Sequence, residues 1–491
     1  MKRLIILCDG TWQSTLSWSP QETSNIARIA RALKTLDDRH GGSIPQVVYY
    51  QPGLGTDGGA LYWMTNLFAG AFGWGILEQI REVYNFISYN YEPGDELFMF
   101  GFSRGAFLVR AIVRFICDFG IIRKAGMSKF IDVFRLYLAS PGSGGSERLQ
   151  EKQHELDALN LLITCDKVTI SVLGCFDTVG ALGIPRWRAW GMRKYELADL
   201  CVYGNIRHVF HALALDEDRK IFKPTLFFFP QHCDMERYKQ VWFSGAHINV
   251  GGGSFYHAMP GSDLLPVKDG DTGKKPKRIT NVLSDGPLIW MISECESLLA
   301  FDFHYLQVNI RSGHTTADGE LNFHEHAVAR TAAEAVASRA LWFLGPICNN
   351  FAGLEGMVYR LLGRRARAVG GYTNLAKKTH TADLGLLKVC YNTVDRLDGG
   401  PYHCTNEMVH ESVVQRMDTP GGKRSRALGT YEIVSDSGVQ KGQCACPRDG
   451  KVQLLGYSPA ELAFWTEAGQ DVSAGGDAGA GLLSCRAADM V

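Results

Sequence analysis

Short apolar runs alternate with stretches of helical periodicity through the first part of the chain. The runs are rich in apolar or β-branched residues and end at polar or glycine-containing turns, which is typical of buried strands. They predict strands at residues 3–8, 46–50, 96–100, 167–174 and 240–244. Because helical stretches lie between them, the pattern favours an α/β fold with a mainly parallel sheet covered by helices on both faces.

The helical stretches place apolar residues three and four positions apart. They predict a helix after the cap Thr23-Ser24-Asn25, one after Ser103, and others at residues 130–138 and 206–215. After about residue 306 the strand–helix rhythm fades. We therefore predict a first domain at residues 1–305, a mostly helical accessory region at 306–465 and a disordered tail, rich in Gly and Ala, at 466–491.

Charge balance argues against one broad class of function. The chain has 491 residues with 51 Lys and Arg and 51 Asp and Glu, so it lacks the basic excess of a nucleic-acid binder. Its 13 cysteines show no regular spacing, which fits a reducing compartment better than a disulfide framework. The apolar run after Met1 is too short for a signal peptide, so we expect a cytoplasmic protein or one secreted without a signal.

One uncharged stretch bears on membrane contact. Residues 58–77 are aromatic-rich and long enough to cross a membrane, but their glycines and Asn66 argue against a span. A loop and helix buried on the sheet is the favoured interpretation. The alternative is an apolar surface that makes peripheral contact with a membrane or with an apolar substrate.

The most informative motif follows the third predicted strand. Gly101-Phe102-Ser103-Arg104-Gly105 is a G-x-S-x-G pentapeptide at the end of an apolar run and the start of a helical one. In that setting the glycines allow a sharp turn, and the serine hydroxyl projects above the sheet as a nucleophile. The alternative is a glycine-rich turn with an incidental serine.

A serine nucleophile needs a base and an acid, and two other strand ends carry these residue types. His247 would take the proton of Ser103, and Asp177 would orient the imidazole. The order Ser, Asp, His along the chain is that of α/β-hydrolases. Asp177 as a helix cap and His247 as a loop histidine are the alternatives. The rival bases are His208, His211 and His257, and the rival acid is Asp216.

Ester hydrolysis also needs backbone N–H groups that point at the developing oxyanion. The N–H of Arg104, directly after the nucleophile, is one predicted donor, and Gly10 or Thr11 would supply the second, with residues 53–56 in reserve. Asp9 would support that early loop. Since no H-E-x-x-H or G-x-x-x-x-G-K-[ST] pattern is present, we expect neither a metal nor a nucleotide cofactor.

Seven short motifs in this order resemble a known family. They lie at residues 7–12, 53–56, 91–95, 101–106, 176–180, 211–217 and 242–247. The set is similar to the largely uncharacterised α/β-hydrolases that share the catalytic domain of type VI secretion phospholipase effectors, over roughly residues 1–305. The resemblance implies a serine-dependent lipase or esterase acting on a phospholipid or another apolar ester, with Ser103, Asp177 and His247 at the matching positions.

One position departs from the family pattern. The family usually has Ser-Asp after the histidine, whereas this chain has Ile248-Asn249. Loss of that carboxylate would alter a supporting hydrogen bond beside the base. Two other functions therefore stay open: hydrolysis of small soluble esters, and a catalytically inactive member of the fold that binds a membrane or a partner.

Overall fold

The computed structural model describes the chain in segments. These are residues 1–10, 23–39, 41–53, 72–138, 168–179, 205–220, 222–229, 235–253, 282–306, 347–348, 360, 363–369, 405–418, 424–429, 432–434 and 451–467. Of the predicted tail at 466–491, only residues 466–467 lie within these segments. Thr11 and His257 lie outside the described residues.

The described strands form one extended sheet. They are β1 (Arg3–Cys8), β2 (Leu36–Asp37), β3 (Ile44–Gln51), β4 (Glu96–Phe102), β5 (Ile170–Phe176), β6 (Ile206–Ala214), β7 (Arg237–Phe243), β8 (Glu407–His410), β9 (Glu432–Val434) and β10 (Lys451–Leu455). Their order across the sheet is β2-β3-β1-β4-β5-β6-β7-β8-β10-β9. Each pair is parallel except β2 with β3, so the predicted mainly parallel sheet is confirmed.

The helices of the described segments cover both faces of this sheet. They are α1 (Asn25–Ala32), α2 (Phe72–Asn90), α3 (Arg104–Phe119), α4 (Phe130–Leu138), α5 (His247–Gly251), α6 (Asp285–Cys295), α7 (Glu411–Asp418) and α8 (Pro459–Glu467). Successive residues of a strand point to opposite faces, and in β1 Leu4 and Ile6 join one apolar cluster while Ile5 and Leu7 join another. Helices α2, α3 and α4 pack into the first cluster, and α1 and α6 pack into the second. The α/β class is that predicted.

The strand order reverses between β1 and β4. The chain passes from β1 to β3 on one side and then returns to β4 on the other side of β1. In open α/β sheets, a crevice forms at such a switch point, outside the carboxyl ends of the strands, and ligands bind there. The loop that starts at Asp9 and the turn at Ser103 both leave the sheet at this point.

The prediction of a helix at residues 206–215 is wrong. Residues Ile206–Ala214 form strand β6, which pairs with β5 and β7 in the middle of the sheet. Every residue of this strand except Arg207 is buried, so it lacks the alternation of a half-exposed strand. Its Ala and Leu residues have good helix propensity, but pairing on both edges and burial on both faces override that preference.

The region after residue 306 contributes more strand than predicted. Among its described residues, β8, β9 and β10 continue the main sheet, and only α7 and α8 are helices of two turns or more. Because β8 pairs directly with β7, this region extends the main sheet, which the prediction of a mostly helical region did not include. The periodic pattern missed these strands since they have three to five residues each. The division of the chain at residue 305 stays a prediction.

Within the described segments, no helix has the length and apolar character that crossing a membrane requires. The uncharged stretch at 58–77 falls partly in those segments, because α2 begins at Phe72. The rest of that stretch lies outside the described residues, and its contact with a membrane or substrate stays a prediction.

Candidate active site

Ser103 lies in the tight turn between β4 and α3. Its backbone has φ 57° and ψ −118°, a conformation that residues with a side chain rarely adopt. The N–H of Ser103 donates to the Phe176 carbonyl at 3.0 Å, which ties the turn to the end of β5. A strained serine between a strand and a helix is the backbone geometry that the G-x-S-x-G motif predicts.

Glycines on both sides of Ser103 are required by close backbone contacts. A Cβ at Gly101 would lie 2.5 Å from the Ala106 Cα, and one at Gly105 would lie 2.5 Å from the Asp9 carbonyl oxygen and closer still to that of Cys8. These distances are shorter than any real Cβ contact. Helix α3 therefore starts directly against the end of β1, which brings Ser103 beside Asp9 and Gly10.

Three side chains from distant strand ends form a hydrogen-bonded chain. The Ser103 hydroxyl lies 2.8 Å from His247 Nε2, and His247 Nδ1 lies 2.6 Å from Asp177 Oδ2. Ser103 and His247 are each 6% exposed and Asp177 is fully buried. The structure thus brings together the three residues that the sequence nominated as nucleophile, base and acid, with the spacing of a proton relay.

Asp177 directly follows β5, and both oxygens of its carboxylate accept hydrogen bonds. Its backbone also has a positive φ of 39°. The Ala214 N–H donates to Oδ1 at 3.0 Å, and Arg367 donates to Oδ1 at 2.5 Å and to Oδ2 at 2.8 Å. Burial alone would raise the pKa of Asp177, but the charge of Arg367 and the His247 hydrogen bond hold it well below its ordinary range. These contacts therefore favour the ionised form of the Asp177 carboxyl.

His247 begins α5, four residues after the end of β7 at Phe243. Its ring packs against Phe102 and Phe222, with centroids 4.8 and 5.0 Å away, and its backbone N–H donates to the Glu217 carboxylate at 3.2 Å. Burial lowers the pKa of His247 below 6.5, although the hydrogen bond to Asp177 acts in the opposite direction. The imidazole is therefore neutral at pH 7 and able to accept a proton.

Asn249, where the family usually has a carboxylate, is fully buried two residues after the histidine. Its Oδ1 accepts the N–H groups of Ala246 at 3.0 Å and Cys348 at 2.9 Å. A carboxylate oxygen would accept the same two bonds, so the amide preserves the support of the turn that carries His247. Cys348 comes from the region after residue 306, which the sequence had not linked to the site.

The rival residues have other partners. His211 accepts the Thr178 N–H at Nε2 and contacts Gln240 through Nδ1 at 2.9 Å, and burial lowers its pKa to about 3. His208 lies 3.5 Å from the exposed Glu236 carboxylate, near the start of β6 and at the opposite edge of the sheet. Neither His208 nor His211 contacts Ser103 in the described residues.

The rival acid, Asp216, also has its own partner. Its carboxylate accepts the Gly245 N–H at 2.7 Å, and burial raises its pKa.

Asp9 organises the loop beside Ser103. Its carboxylate accepts hydrogen bonds from Ser24 at 2.5 Å, Tyr50 at 2.6 Å and the Gly10 N–H at 2.7 Å. Burial raises the pKa of Asp9 to about 6, although these three bonds lower it. Asp9 thus ties Gly10 to Ser24 and Tyr50, and its role in supporting the site stays a prediction.

The predicted oxyanion donors differ in what surrounds them. Arg104 directly follows Ser103 and is the first residue of α3, at the helix end where the helix dipole favours a negative charge. The N–H of Gly10 lies in the right loop but donates to Asp9, so it would have to turn before it could bind an oxyanion. Thr11 lies outside the described residues, and the identity of the second donor stays a prediction.

Two residues at the site were not nominated as site residues from the sequence. Glu217 holds the His247 backbone and pairs with Arg219 at 2.8 Å, and Arg367 binds both oxygens of Asp177. Arg367 lies in a short basic run with Arg364 and Arg365 that matches no motif, and only the folded chain brings it to the site. No group of three or more potential metal ligands occurs in the segments that the structure describes.

A search of curated proteins finds a relative that is similar to this chain in sequence. The chain is 29% identical over 238 residues to the uncharacterized protein YEL023C of Saccharomyces cerevisiae, a match that covers 46% of this chain and 33% of that protein. This chain thus spans about a third of the length of that curated relative.

Solved structures give weaker likenesses. The Tle1 effector bound to the VgrG spike from the type 6 secretion system is 17% identical with a TM-score of 0.29, over 52% of this chain and 51% of that one. An uncharacterized protein from Pseudomonas aeruginosa is 14% identical with a TM-score of 0.34, over 79% of this chain and 55% of that one.

A sequence model of one family spans more than half of the chain. It describes the Tle1-like phospholipase effector catalytic domain of type VI secretion systems and matches residues 2–294. The match includes the turn at Ser103, the strand end at Asp177 and the start of α5 at His247. The chain therefore belongs to the family of Tle1-like phospholipase effector catalytic domains.

Proposed function

We propose that this protein is a serine hydrolase of the α/β-hydrolase type that cleaves carboxylic esters of lipids. The observation that carries the proposal is the pair of hydrogen bonds that joins Ser103 to His247 at 2.8 Å and His247 to Asp177 at 2.6 Å. Lipid as the substrate class rests on membership of the phospholipase effector family.

The first half of the reaction would form an acyl-enzyme. Ser103 Oγ attacks the ester carbonyl while His247 Nε2 takes the hydroxyl proton, and Asp177 stabilises the imidazolium through the Nδ1–H. The N–H of Arg104 and a second backbone donor in the loop after β1 bind the oxyanion. His247 then gives the proton to the departing alcohol as the tetrahedral intermediate collapses.

The second half of the reaction would hydrolyse the acyl-enzyme. A water molecule replaces the alcohol beside His247 Nε2, which takes a proton as the water oxygen attacks the acyl carbonyl. Collapse of this second intermediate releases the carboxylic acid and returns the proton to Ser103. No other group is needed for the atoms and charges to balance.

Two features of the site support a working enzyme rather than an inactive member of the fold. Burial keeps His247 neutral near pH 7, which is the state that a general base needs. Asn249 still accepts both backbone N–H groups that support the turn, so the departure from the family pattern leaves the relay geometry in place.

A substrate panel tests the proposal. Purified protein is assayed on p-nitrophenyl butyrate, on a long-chain p-nitrophenyl ester and on phosphatidylcholine vesicles, with Ser103→Ala as the matched control. We expect turnover of the long-chain ester and the vesicles and a loss of about 10³-fold or more in Ser103→Ala. Equal turnover by the variant would contradict the proposal, and activity on the short ester alone would favour the soluble-ester function.

A further inference from the structure

Arg367 reaches the carboxylate of Asp177 from outside the matched catalytic domain. The family model ends at residue 294, whereas Arg367 lies in the segment 363–369. Its side chain is 2% exposed, and it makes two parallel hydrogen bonds to the carboxylate, one to each oxygen. It also donates to the carbonyl oxygens of Ala214 and Phe222, each at 2.8 Å. Such bidentate geometry fixes orientation as well as charge.

Backbone hydrogen bonds hold the segment that carries Arg367. Gly363 accepts the Lys220 N–H at 3.2 Å, the Arg365 N–H donates to the Asp218 carbonyl at 2.8 Å, and the Val369 N–H donates to the Ala427 carbonyl at 2.9 Å. These bonds fix the backbone on both sides of Arg367. They tie it to the loop after β6 and to the segment 424–429, so the position of the guanidinium group is defined.

The contacts of Asp177 divide between its two oxygens. Oδ1 accepts from Arg367 and from the Ala214 N–H, whereas Oδ2 accepts from Arg367 and from His247 Nδ1. Rotation of the carboxylate would break at least two of these bonds. Arg367 thus keeps Oδ2 pointed at the imidazole, which in turn keeps Nε2 directed at the Ser103 hydroxyl.

Each of the two carboxylates that contact His247 forms an ion pair with an arginine. Glu217 and Arg219 pair with each other at 2.8 Å, and Asp177 pairs with Arg367. In the part of the chain that the structure describes, Asp216 and Cys348 are further titratable groups that contact the same turn, at Gly245 and Asn249. Without Arg367, the buried carboxylate would face the imidazole alone, and an unopposed negative charge stabilises an imidazolium. The resting base would then be protonated at a higher pH and unable to accept the Ser103 proton.

We propose that Arg367 is a positioning residue, supplied by the region beyond the family domain, that orients the Asp177 carboxylate and balances its charge so that His247 rests as a neutral base. The catalytic meaning of this role rests on the proposed function. The claim about the protonation of His247 does not, because it concerns an equilibrium in the resting protein.

Titration of His247 in Arg367→Gln tests this role without any substrate. Protein with ¹³C-labelled histidine is followed by NMR against pH, and His247→Gln identifies the signal. We expect the His247 midpoint to rise by about one pH unit or more, because loss of the cation makes protonation at least about tenfold easier. Arg3→Gln is the control, since Arg3 is a buried arginine paired with Asp37 at the other end of β1. It should leave the midpoint unchanged.

A second variant keeps the test decisive if Arg367→Gln fails to fold. Arg367→Lys keeps the positive charge but cannot make the paired hydrogen bonds to both oxygens of Asp177. We therefore expect the titration midpoint of His247 to stay near that of the wild type. We also expect Ser103 to react more slowly with a fluorophosphonate, because the carboxylate is less well oriented. An unchanged midpoint in folded Arg367→Gln, or full Ser103 reactivity in Arg367→Lys, would overturn the proposal. If the wild-type Ser103 is unreactive while the midpoint still shifts, the proposed hydrolase function fails and the role of Arg367 in setting the His247 charge stands.

Discussion

Substitution of Gly105 by alanine tests the contact that holds the nucleophile turn against β1. The added Cβ would lie 2.5 Å from the Asp9 carbonyl oxygen, about 0.9 Å short of the 3.4 Å at which ordinary contact begins. Both neighbours are backbone atoms, of Cys8 and Asp9, and neither can rotate away. The start of α3 must therefore move by about 1 Å, and Ser103 moves with it.

The size of the effect follows from two opposing contributions. Overpacking of this kind costs about 1–3 kcal/mol, and the upper end applies because backbone meets backbone. Alanine is favoured over glycine inside a helix by about 1 kcal/mol. We therefore expect a net loss of about 2 kcal/mol in the free energy of unfolding. A displacement of about 1 Å at the nucleophile should also slow the reaction of Ser103 by about 10²-fold.

Chemical denaturation and fluorophosphonate labelling of Gly105→Ala measure the two effects. Gly42→Ala is the control, because a Cβ at Gly42 has nothing within 4 Å. It should change the free energy of unfolding by less than about 0.5 kcal/mol, as surface substitutions usually do. If Gly105→Ala is as stable and as reactive as the wild type, helix α3 does not start against β1 and the account of the turn is wrong.

Three further predictions concern the acids and the base. Asp177→Asn should slow labelling of Ser103 by about 10³–10⁴-fold because the imidazole loses its correct tautomer, whereas Asp216→Asn should cost less than about tenfold. The labelling rate of the wild type should rise with pH to a plateau, with a midpoint below 6.5, since protonated His247 cannot act as a base. Because the folded-state pKa of Asp9 is raised to about 6, its contribution to stability is present below about pH 4 and lost as the pH rises through 6. The free energy of unfolding of the wild type, relative to Asp9→Asn, should therefore fall by up to about 3 kcal/mol between pH 4 and 7 in denaturation experiments.

Strands with a strong local signal were predictable from the sequence. Residues 3–8 are apolar apart from Arg3 and end at Asp9-Gly10, and they form β1 with the same bounds. The turn at Ser103 was predictable because the glycine requirement and the change from strand to helix are both local properties. The end of a parallel strand also determines the edge of the sheet at which its following residue lies. Three strand ends were therefore enough to nominate Ser103, Asp177 and His247 together.

Features that depend on distant packing were not predictable in the same way. Strand β6 looks helical because burial on both faces removes the alternation that marks a strand, and only its pairing with β5 and β7 defines it. Arg367 contacts Asp177 across 190 positions of sequence, and its neighbours along the chain give no hint of a carboxylate. Long-range ion pairs of this kind leave no pattern in a single sequence.

The central claim is that His247 activates Ser103 for attack on an electrophile. Fluorophosphonate labelling followed by mass spectrometry, in the wild type and in His247→Gln, measures this most directly. We predict a single adduct on Ser103 in the wild type and a rate about 10²–10⁴-fold lower in the variant. Equal rates in the two proteins, or an adduct on another residue while Ser103 stays unmodified, would contradict the claim.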